Sequence, residues 1–115
     1  TRRSSRTCRR LIAARRFAEA QALARAQAKA DPEQPDWWDY LAKASDGKGD
    51  VLARRRALAE KLALDGAWPS AIRQLKEARD MKEVSFYEQS IIGARLLEFE
   101  ARYKEEREDE KNGRG

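Results

Sequence analysis

The chain has 115 residues, of which 41% are hydrophobic and 39% are charged, with a net charge of +5, one cysteine and no histidine. This length suits a single domain, and the abundance of alanine, leucine, glutamate, lysine and arginine favours helices with solvated outer faces. Without histidine, the chain lacks the commonest general acid–base and cannot activate a nucleophile or bind zinc through that side chain. We therefore expect no catalysis, metal or other cofactor within these residues.

Proline and glycine interrupt the sequence at intervals, and the segments between them have helical periodicity without sustained strand-type alternation. Six helices are predicted, at about 5–14, 17–29, 36–45, 50–64, 69–81 and 85–108. Asp36 and Asp50 are expected to cap the third and fourth helices, and Ser85 with Glu88 forms a capping box. The predicted organisation is an Arg-rich helix (1–15), a repeat region with its closing helix (16–103) and a charged, partly disordered tail (104–115).

Two segments repeat one pattern of aromatic and small residues. Phe17 and Trp68 each follow a turn, and an alanine comes three positions after each of them. The framework positions of the pattern are Phe17, Ala20, Pro32, Trp38, Leu41, Gly49, Leu58, Gly66, Trp68, Ala71, Leu75 and Ala78. The pattern resembles the tetratricopeptide repeat, whose period is about 34 residues. This resemblance implies an all-α, tetratricopeptide-like α-solenoid of about three antiparallel helix pairs with a long closing helix, in which helix 50–64 belongs to two pairs.

A narrower resemblance covers about 17–99. The segments PDWWDYLA from Pro35, GD from Gly49, LDG from Leu64 and SFY from Ser85, followed by Ala-Arg-Leu from Ala94, carry it. They resemble the C-terminal repeat domain of periplasmic, outer-membrane-associated zinc metallopeptidases that assist β-barrel assembly. The chain departs from that pattern at Arg15, where a glycine is usual, and at its run of three arginines from Arg54. The resemblance implies a non-catalytic arm of a larger peptidase active in the quality control of outer-membrane proteins, with HExxH and zinc in an upstream domain.

Stacked helix pairs leave a concave face lined by the first helix of each pair. By repeat position, the candidates for a partner-binding groove are Arg9, Asp39, Lys43, Arg56 and Glu60, although for any single one of them an ordinary solvated position is the favoured interpretation. Trp37 and Tyr40 are added as aromatic candidates, one of them exposed, because Trp38 occupies the core position of the repeat and successive helical residues point in different directions. Trp68 is expected to wedge against its turn.

Arginine is concentrated at the N-terminus, in a set that comprises Arg2, Arg3, Arg6, Arg9, Arg10, Arg15 and Arg16. Such a cluster could bind nucleic acid or an anionic surface, but no nucleic-acid motif accompanies it, so this function ranks below protein binding. Cys8 lies among these arginines; they could lower its pKa, but a buried bystander thiol is the preferred interpretation. The favoured partner is a protein or peptide, with an upstream protease domain as one candidate. A free-standing adaptor is the first alternative, and any membrane association would be indirect.

Overall fold

The computed structural model describes residues 2–113, and these form six α-helices without a strand. The helices are α1 (Arg2–Ala13), α2 (Phe17–Ala30), α3 (Pro35–Lys48), α4 (Val51–Leu64), α5 (Trp68–Arg79) and α6 (Phe86–Gly113). The number, order and all-α class of the predicted helices are confirmed. Three ends differ by three residues or more: α1 begins at Arg2, α3 continues to Lys48, and α6 runs on to Gly113, so the tail predicted to be partly disordered is helical as far as that residue. Residues 114–115 lie outside the described part.

Three of the connections share one backbone geometry. Arg15, Gly49 and Gly66 have positive φ angles of 62°, 81° and 78°. At each turn, two backbone N–H groups donate back to carbonyls of the preceding helix: Arg15 to Ile12 and Arg16 to Leu11, with the equivalent bonds at Gly49–Asp50 and Gly66–Ala67. This is the Schellman arrangement that ends many helices. Arg15 thus occupies a left-handed position that favours glycine, which is where the sequence pattern placed its departure.

Two backbone features in the first 64 residues recur at a spacing of 34 positions. Arg15 and Gly49 are 34 positions apart, and α2 and α4, with 14 residues each, are offset by the same number at both ends. The residues after the two turns differ, since Phe17 begins α2 and Val51 begins α4. The correspondence between the two segments therefore concerns the backbone and does not extend to the residues that begin the helices.

Three helix caps were predicted from the sequence, and the structure contains two of them. The Asp50 side chain accepts a hydrogen bond from the Ala53 N–H at 3.1 Å, as predicted. The capping box is also confirmed, because the Glu88 N–H donates to Ser85 Oγ at 3.1 Å while the Ser85 N–H donates to the Glu88 carboxylate at 3.4 Å. The predicted cap at Asp36 is wrong. Pro35 is already the first residue of α3, because its fixed φ suits a first turn and its missing N–H has no intrahelical partner there.

Each helix packs against its neighbours in the chain, and α1 also contacts α3. Since the connections are only two to six residues long, neighbouring helices run antiparallel. The molecule measures 52 × 35 × 19 Å, and the smallest dimension corresponds to two layers of helices of about 10 Å each. As predicted, α4 packs on both α3 and α5.

The core divides into two clusters that meet at α4. The N-terminal cluster is mainly alanine and consists of Cys8, Ala20, Ala24, Ala28, Trp37, Leu41, Ala42, Ala44 and Ala57. The C-terminal cluster has larger side chains and consists of Ala59, Trp68, Ala71, Leu75, Ala78, Ile92, Leu96 and Phe99. Trp68, buried at the start of α5, packs edge-to-face on Phe99 with ring centroids 5.6 Å apart. This is the place beside its turn that the sequence predicted.

The helical periodicity of the last helix predicts an inward apolar stripe of Phe86 or Tyr87, Ile91 or Ile92, then Leu96, Phe99 and Tyr103. Ile92 is buried, and Ile91 is at the edge with 37% of its surface exposed. Phe86 and Tyr87 are 85% and 74% exposed. The prediction that one of this aromatic pair belongs to the inward stripe is therefore wrong, because both lie in the first turn of α6, before it meets the buried part of α5.

Candidate functional site

A concavity of about 440 Å³ opens between α2, α4 and α6. Its apolar lining consists of Ala28, Pro32, Trp38, Leu41, Ala53, Ala57 and Leu75, and its charged lining of Arg25, Lys29, Arg56, Glu60 and Arg95. We call it the central groove. The groove exists because α2 and α4 present alanines where longer side chains would fill the space between the helices.

One charged pair closes part of the groove wall. Arg95 of α6 donates from Nε and Nη2 to the two carboxylate oxygens of Glu60 on α4, at 2.8 and 2.6 Å. Arg95 also bonds Glu98 at 2.8 Å and lies 4.8 Å from the ring centre of Phe99. The Glu60 hydrogen bonds raise the pKa of Arg95 despite its partial burial, and the charges of both glutamates add to this. Arg95 is therefore held in place by its neighbours.

The other three cations of the groove have no acidic partner among the described residues. Arg25 and Lys29 are exposed one turn apart on α2, and Arg56 is half-buried on α4. The other two arginines of the run on α4 do have partners: Arg54 lies 3.6 Å from Asp46, and Arg55 is paired with Glu77. The groove therefore combines an apolar floor with uncompensated positive charge.

The structure exchanges the roles predicted for two adjacent tryptophans. Trp37 is only 3% exposed and belongs to the N-terminal cluster, so its proposed place as an exposed groove aromatic is wrong. Trp38 is half-buried, lines the groove, and donates from Nε1 to the Pro32 carbonyl at 2.8 Å. The reason is that α1 packs against α3 as well as α2, and Trp37 is buried in the cluster that includes Cys8 of α1. Tyr40 is half-buried against the edge of Trp37.

The remaining predicted groove residues lie in three separate places. Arg56 and Glu60 do line the central groove. Asp39, however, bonds Lys43 at 3.0 Å and Lys61 at 3.1 Å, and none of these three lines the groove. Arg9 lines a polar concavity of about 460 Å³ together with Trp37, Asp31 and Asp36. The predicted residues therefore do not form one surface. The prediction had placed residues of α1, α3 and α4 on a single concave face.

The Asp39 carboxyl responds to both its burial and its partners. Partial burial alone would raise its pKa, but the hydrogen bonds and charges of Lys43 and Lys61 outweigh burial and lower the pKa below its ordinary value. A carboxylate held in its charged form by two lysines is suited to linking α3 to α4 and unsuited to proton transfer near neutral pH.

Sequence reasoning missed Arg25, Lys29 and Arg95 as groove residues. One signal was available for two of them. Arg25 and Lys29 are like charges four positions apart on one helix, a spacing that destabilises a helix when no opposite charge is near. Nothing local marks Arg95, because its partner Glu60 is 35 positions away on α4 and the two meet only through the packing of α5 with both α4 and α6.

The one cysteine of the chain lies outside the central groove. Cys8 is fully buried, its thiol donates weakly to the Ala20 carbonyl at 3.8 Å, and burial raises its pKa. These observations agree with the interpretation of Cys8 as a buried bystander thiol. Within residues 2–113, no cluster of three or more histidine, cysteine or carboxylate side chains could hold a metal ion. The same part of the chain contains no helix that is both long and apolar enough to cross a bilayer.

Comparison with protein-family models, with curated proteins and with solved structures gave no match. The tetratricopeptide and metallopeptidase resemblances therefore stay predictions that depend on the residue patterns.

Proposed function

We propose that this chain is a non-catalytic protein-interaction domain that binds a polypeptide segment of a partner in the central groove. The observation that carries the proposal is the groove itself, with buried apolar side chains at its base and Trp38 at its edge. Concave apolar surfaces with a few polar groups are the usual form of binding sites, and tryptophan is enriched among residues that dominate binding energy.

Backbone geometry supports a tetratricopeptide-like solenoid as the scaffold. The Schellman turns at Arg15 and Gly49, 34 positions apart, and the matching offset of α2 and α4 are consistent with helix pairs α1–α2 and α3–α4. The third pair would be α5–α6, with α6 as the closing helix. Such stacks make extended binding surfaces without needing a catalytic centre.

The larger protein that we propose is a periplasmic zinc metallopeptidase involved in outer-membrane assembly, with this chain recruiting substrates or assembly partners. Its support is the residue resemblance over 17–99. The coding sequence upstream of Thr1 tests it: an HExxH motif there would support the peptidase, and a gene without one would favour a free-standing adaptor with the same groove.

The groove function is tested by selecting binders from a phage-displayed library of random dodecapeptides on the folded chain. Selected peptides are then titrated against Ala53→Trp, which fills the groove from α4, and against Ala22→Trp, a matched change at an exposed position of α2 outside it. We expect at least tenfold weaker binding to Ala53→Trp and unchanged binding to Ala22→Trp. Circular dichroism must show both variants folded.

Two results would refute this site. One is a panel of peptides whose affinity is the same for both tryptophan variants, and the other is a selection that returns no specific binder. Trp38 fluorescence, isolated by Trp37→Phe and Trp68→Phe, gives a second readout, because a bound segment would change the surroundings of a tryptophan at the groove edge.

A second candidate function is binding to nucleic acid or an anionic surface through α1. Arg6, Arg9 and Arg10 are exposed, and none of them has an ion-pair partner within the described residues. Phosphate contacts make affinity fall steeply with salt. Strong, salt-sensitive binding of a DNA duplex that is lost in Arg6→Glu/Arg10→Glu would favour this function over the groove.

A further inference from the structure

The distribution of charge in the central groove goes beyond a general peptide-binding role. Four cations line it, and its one carboxylate, Glu60, is occupied by Arg95 through both oxygens. Arg25, Lys29 and Arg56 remain without an acidic partner in the described part of the chain. The groove therefore has an excess of three positive charges next to an apolar base.

The rest of the molecule does not require this excess. Arg25 and Lys29 repel each other one turn apart on α2, at a cost to helix stability. On α4, consecutive arginines differ only in direction: Arg54 and Arg55 reach acidic partners, whereas Arg56 points into the groove and reaches none. Because half-buried Arg56 has no carboxylate partner within residues 2–113, N–H donors of its guanidinium remain unused. These donors are arranged in the plane in a geometry that matches a carboxylate.

We propose that the partner segment is acidic: it places an apolar side chain on the groove base and carboxylates against Arg25, Lys29 and Arg56. This inference rests on the proposed function and adds the chemistry of the partner. Ala57, Leu41 and Leu75 are buried at the base and leave space for one apolar anchor. The three cations line the same groove, Arg25 and Lys29 from α2 and Arg56 from α4, so glutamates or aspartates beside the anchor would face positive charge. Arginine can bind such a carboxylate through two parallel hydrogen bonds.

Glu60 and Arg95 contribute to selectivity in a different way from the three unpaired cations. Because each already satisfies the other, neither needs to be stripped of a partner when the segment binds. A basic segment would meet three uncompensated cations and would find Glu60 already engaged. The arrangement thus favours acidic partners and disfavours basic ones.

The test uses three fluorescein-labelled nonapeptides with one central Leu-Phe pair, flanked by glutamates, by glutamines or by lysines. In 50 mM salt we expect the glutamate peptide to bind at least tenfold more tightly than the glutamine peptide, and the lysine peptide to bind most weakly. Raising the salt to 500 mM should remove most of the glutamate advantage, since the Debye length falls below about 5 Å.

Two variants link the preference to the groove. Arg25→Gln removes one exposed groove cation with little risk to folding, and Arg56→Glu reverses the charge on α4. We expect the affinity for the glutamate peptide to fall severalfold in Arg25→Gln and at least tenfold in Arg56→Glu. The matched control is Arg73→Glu on α5, which is exposed, lies outside the groove and makes the same change in net charge as Arg56→Glu. It should bind the glutamate peptide within twofold of the unmodified chain.

The outcomes distinguish failure of the acidic preference from failure of the proposed peptide-binding function. Equal binding of glutamate and glutamine peptides, with Arg56→Glu indistinguishable from Arg73→Glu, would overturn the acidic preference and leave the peptide groove standing. If the dodecapeptide selection also finds no groove binder, the proposed function fails together with the inference. A 12-nucleotide single strand that binds in the groove, loses affinity with Arg56→Glu and outcompetes every peptide would replace the acidic peptide with a phosphate backbone.

Discussion

The N-terminal and C-terminal clusters contain similar numbers of buried residues but pack them differently. The first brings α1, α2, α3 and α4 together over alanines with two large side chains, Trp37 and Leu41. The second joins α4, α5 and α6 through Trp68, Leu75, Ile92, Leu96 and Phe99. Small side chains let helix backbones approach closely, and large ones hold helices apart and fill the space between them. One half is therefore sensitive to added volume and the other to lost volume.

The difference also explains where the central groove lies. Ala28 and Ala57 of the N-terminal cluster and Leu75 of the C-terminal cluster all line it. At the junction, α2 and α4, which each pack on α3, meet a half whose helices are held by larger side chains. The groove is thus a consequence of the change in packing along the stack.

The largest effect is expected in the C-terminal cluster. Phe99→Ala removes a ring that is 2% exposed and packs on Trp68, and it should lower the free energy of unfolding by about 3–5 kcal/mol. Urea denaturation followed by circular dichroism measures this loss. Leu97→Ala, two positions earlier and 70% exposed, is the control and should change stability by less than about 0.5 kcal/mol. Similar losses for the two variants would mean that the large-residue core does not carry the stability of this half.

The N-terminal cluster should respond most to overfilling. Ala24 is fully buried on α2, and Ala24→Leu should cost about 1–3 kcal/mol because the added atoms force α2 away from its neighbours. Ala22→Leu makes the same substitution on the exposed side of the same helix and should be nearly neutral. A stabilised Ala24→Leu protein would show that this half is underfilled, contrary to the close-packing interpretation.

Two helical glycines give a comparison of opposite sign. Replacing an exposed helical glycine with alanine normally stabilises a helix by about 1 kcal/mol. A Cβ on Gly47 of α3 would overlap the Phe17 ring of α2, whereas a Cβ on Gly93 of α6 would have no neighbour within 4 Å. We therefore expect Gly47→Ala to destabilise by about 1–2 kcal/mol and Gly93→Ala to stabilise, both measured by thermal and urea unfolding.

A double mutant tests the cause of the Gly47 effect. Combining Gly47→Ala with Phe17→Leu removes the ring edge that the new methyl group would meet. The cost of Gly47→Ala should then largely disappear. If it persists in the Phe17→Leu background, backbone strain elsewhere in α3, and not the contact with α2, limits this position.

The smallest effect concerns pH and the link between α3 and α4. Because the pKa of folded Asp39 is lowered, its stabilisation is complete above the unfolded value of about 3.9 and is lost as pH falls through the folded pKa. Asp39→Asn should therefore cost about 0.5–1 kcal/mol at pH 7 and progressively less below pH 4. Urea titrations of both proteins at several pH values measure the difference. In a Lys61→Gln background the cost should shrink, and a difference that is independent of pH would contradict the ion-pair account.

Local sequence signals predicted most of the secondary structure. Asp50, Ser85 and Glu88 identified caps that the structure contains, because capping depends on residues within one turn of each other. Gln21 illustrates the limit: it is buried, and its amide bonds both Ser45 Oγ at 3.0 Å and the Asp50 carboxylate at 3.1 Å. Those partners are more than twenty positions away, so no local pattern distinguishes Gln21 from an exposed glutamine.

The sequence by itself determined six helices, their turns and the absence of histidine chemistry, since these follow from composition, periodicity and contacts within a few residues. Only the tertiary structure decided that Trp37 is core and Trp38 lines a groove, and that Arg56 lacks a partner while Arg54 and Arg55 have one. The direction of a side chain follows from its place on a helix, but what it meets depends on which other helices pack there. That dependence brings Arg25, Arg56 and Arg95 from three helices to one surface.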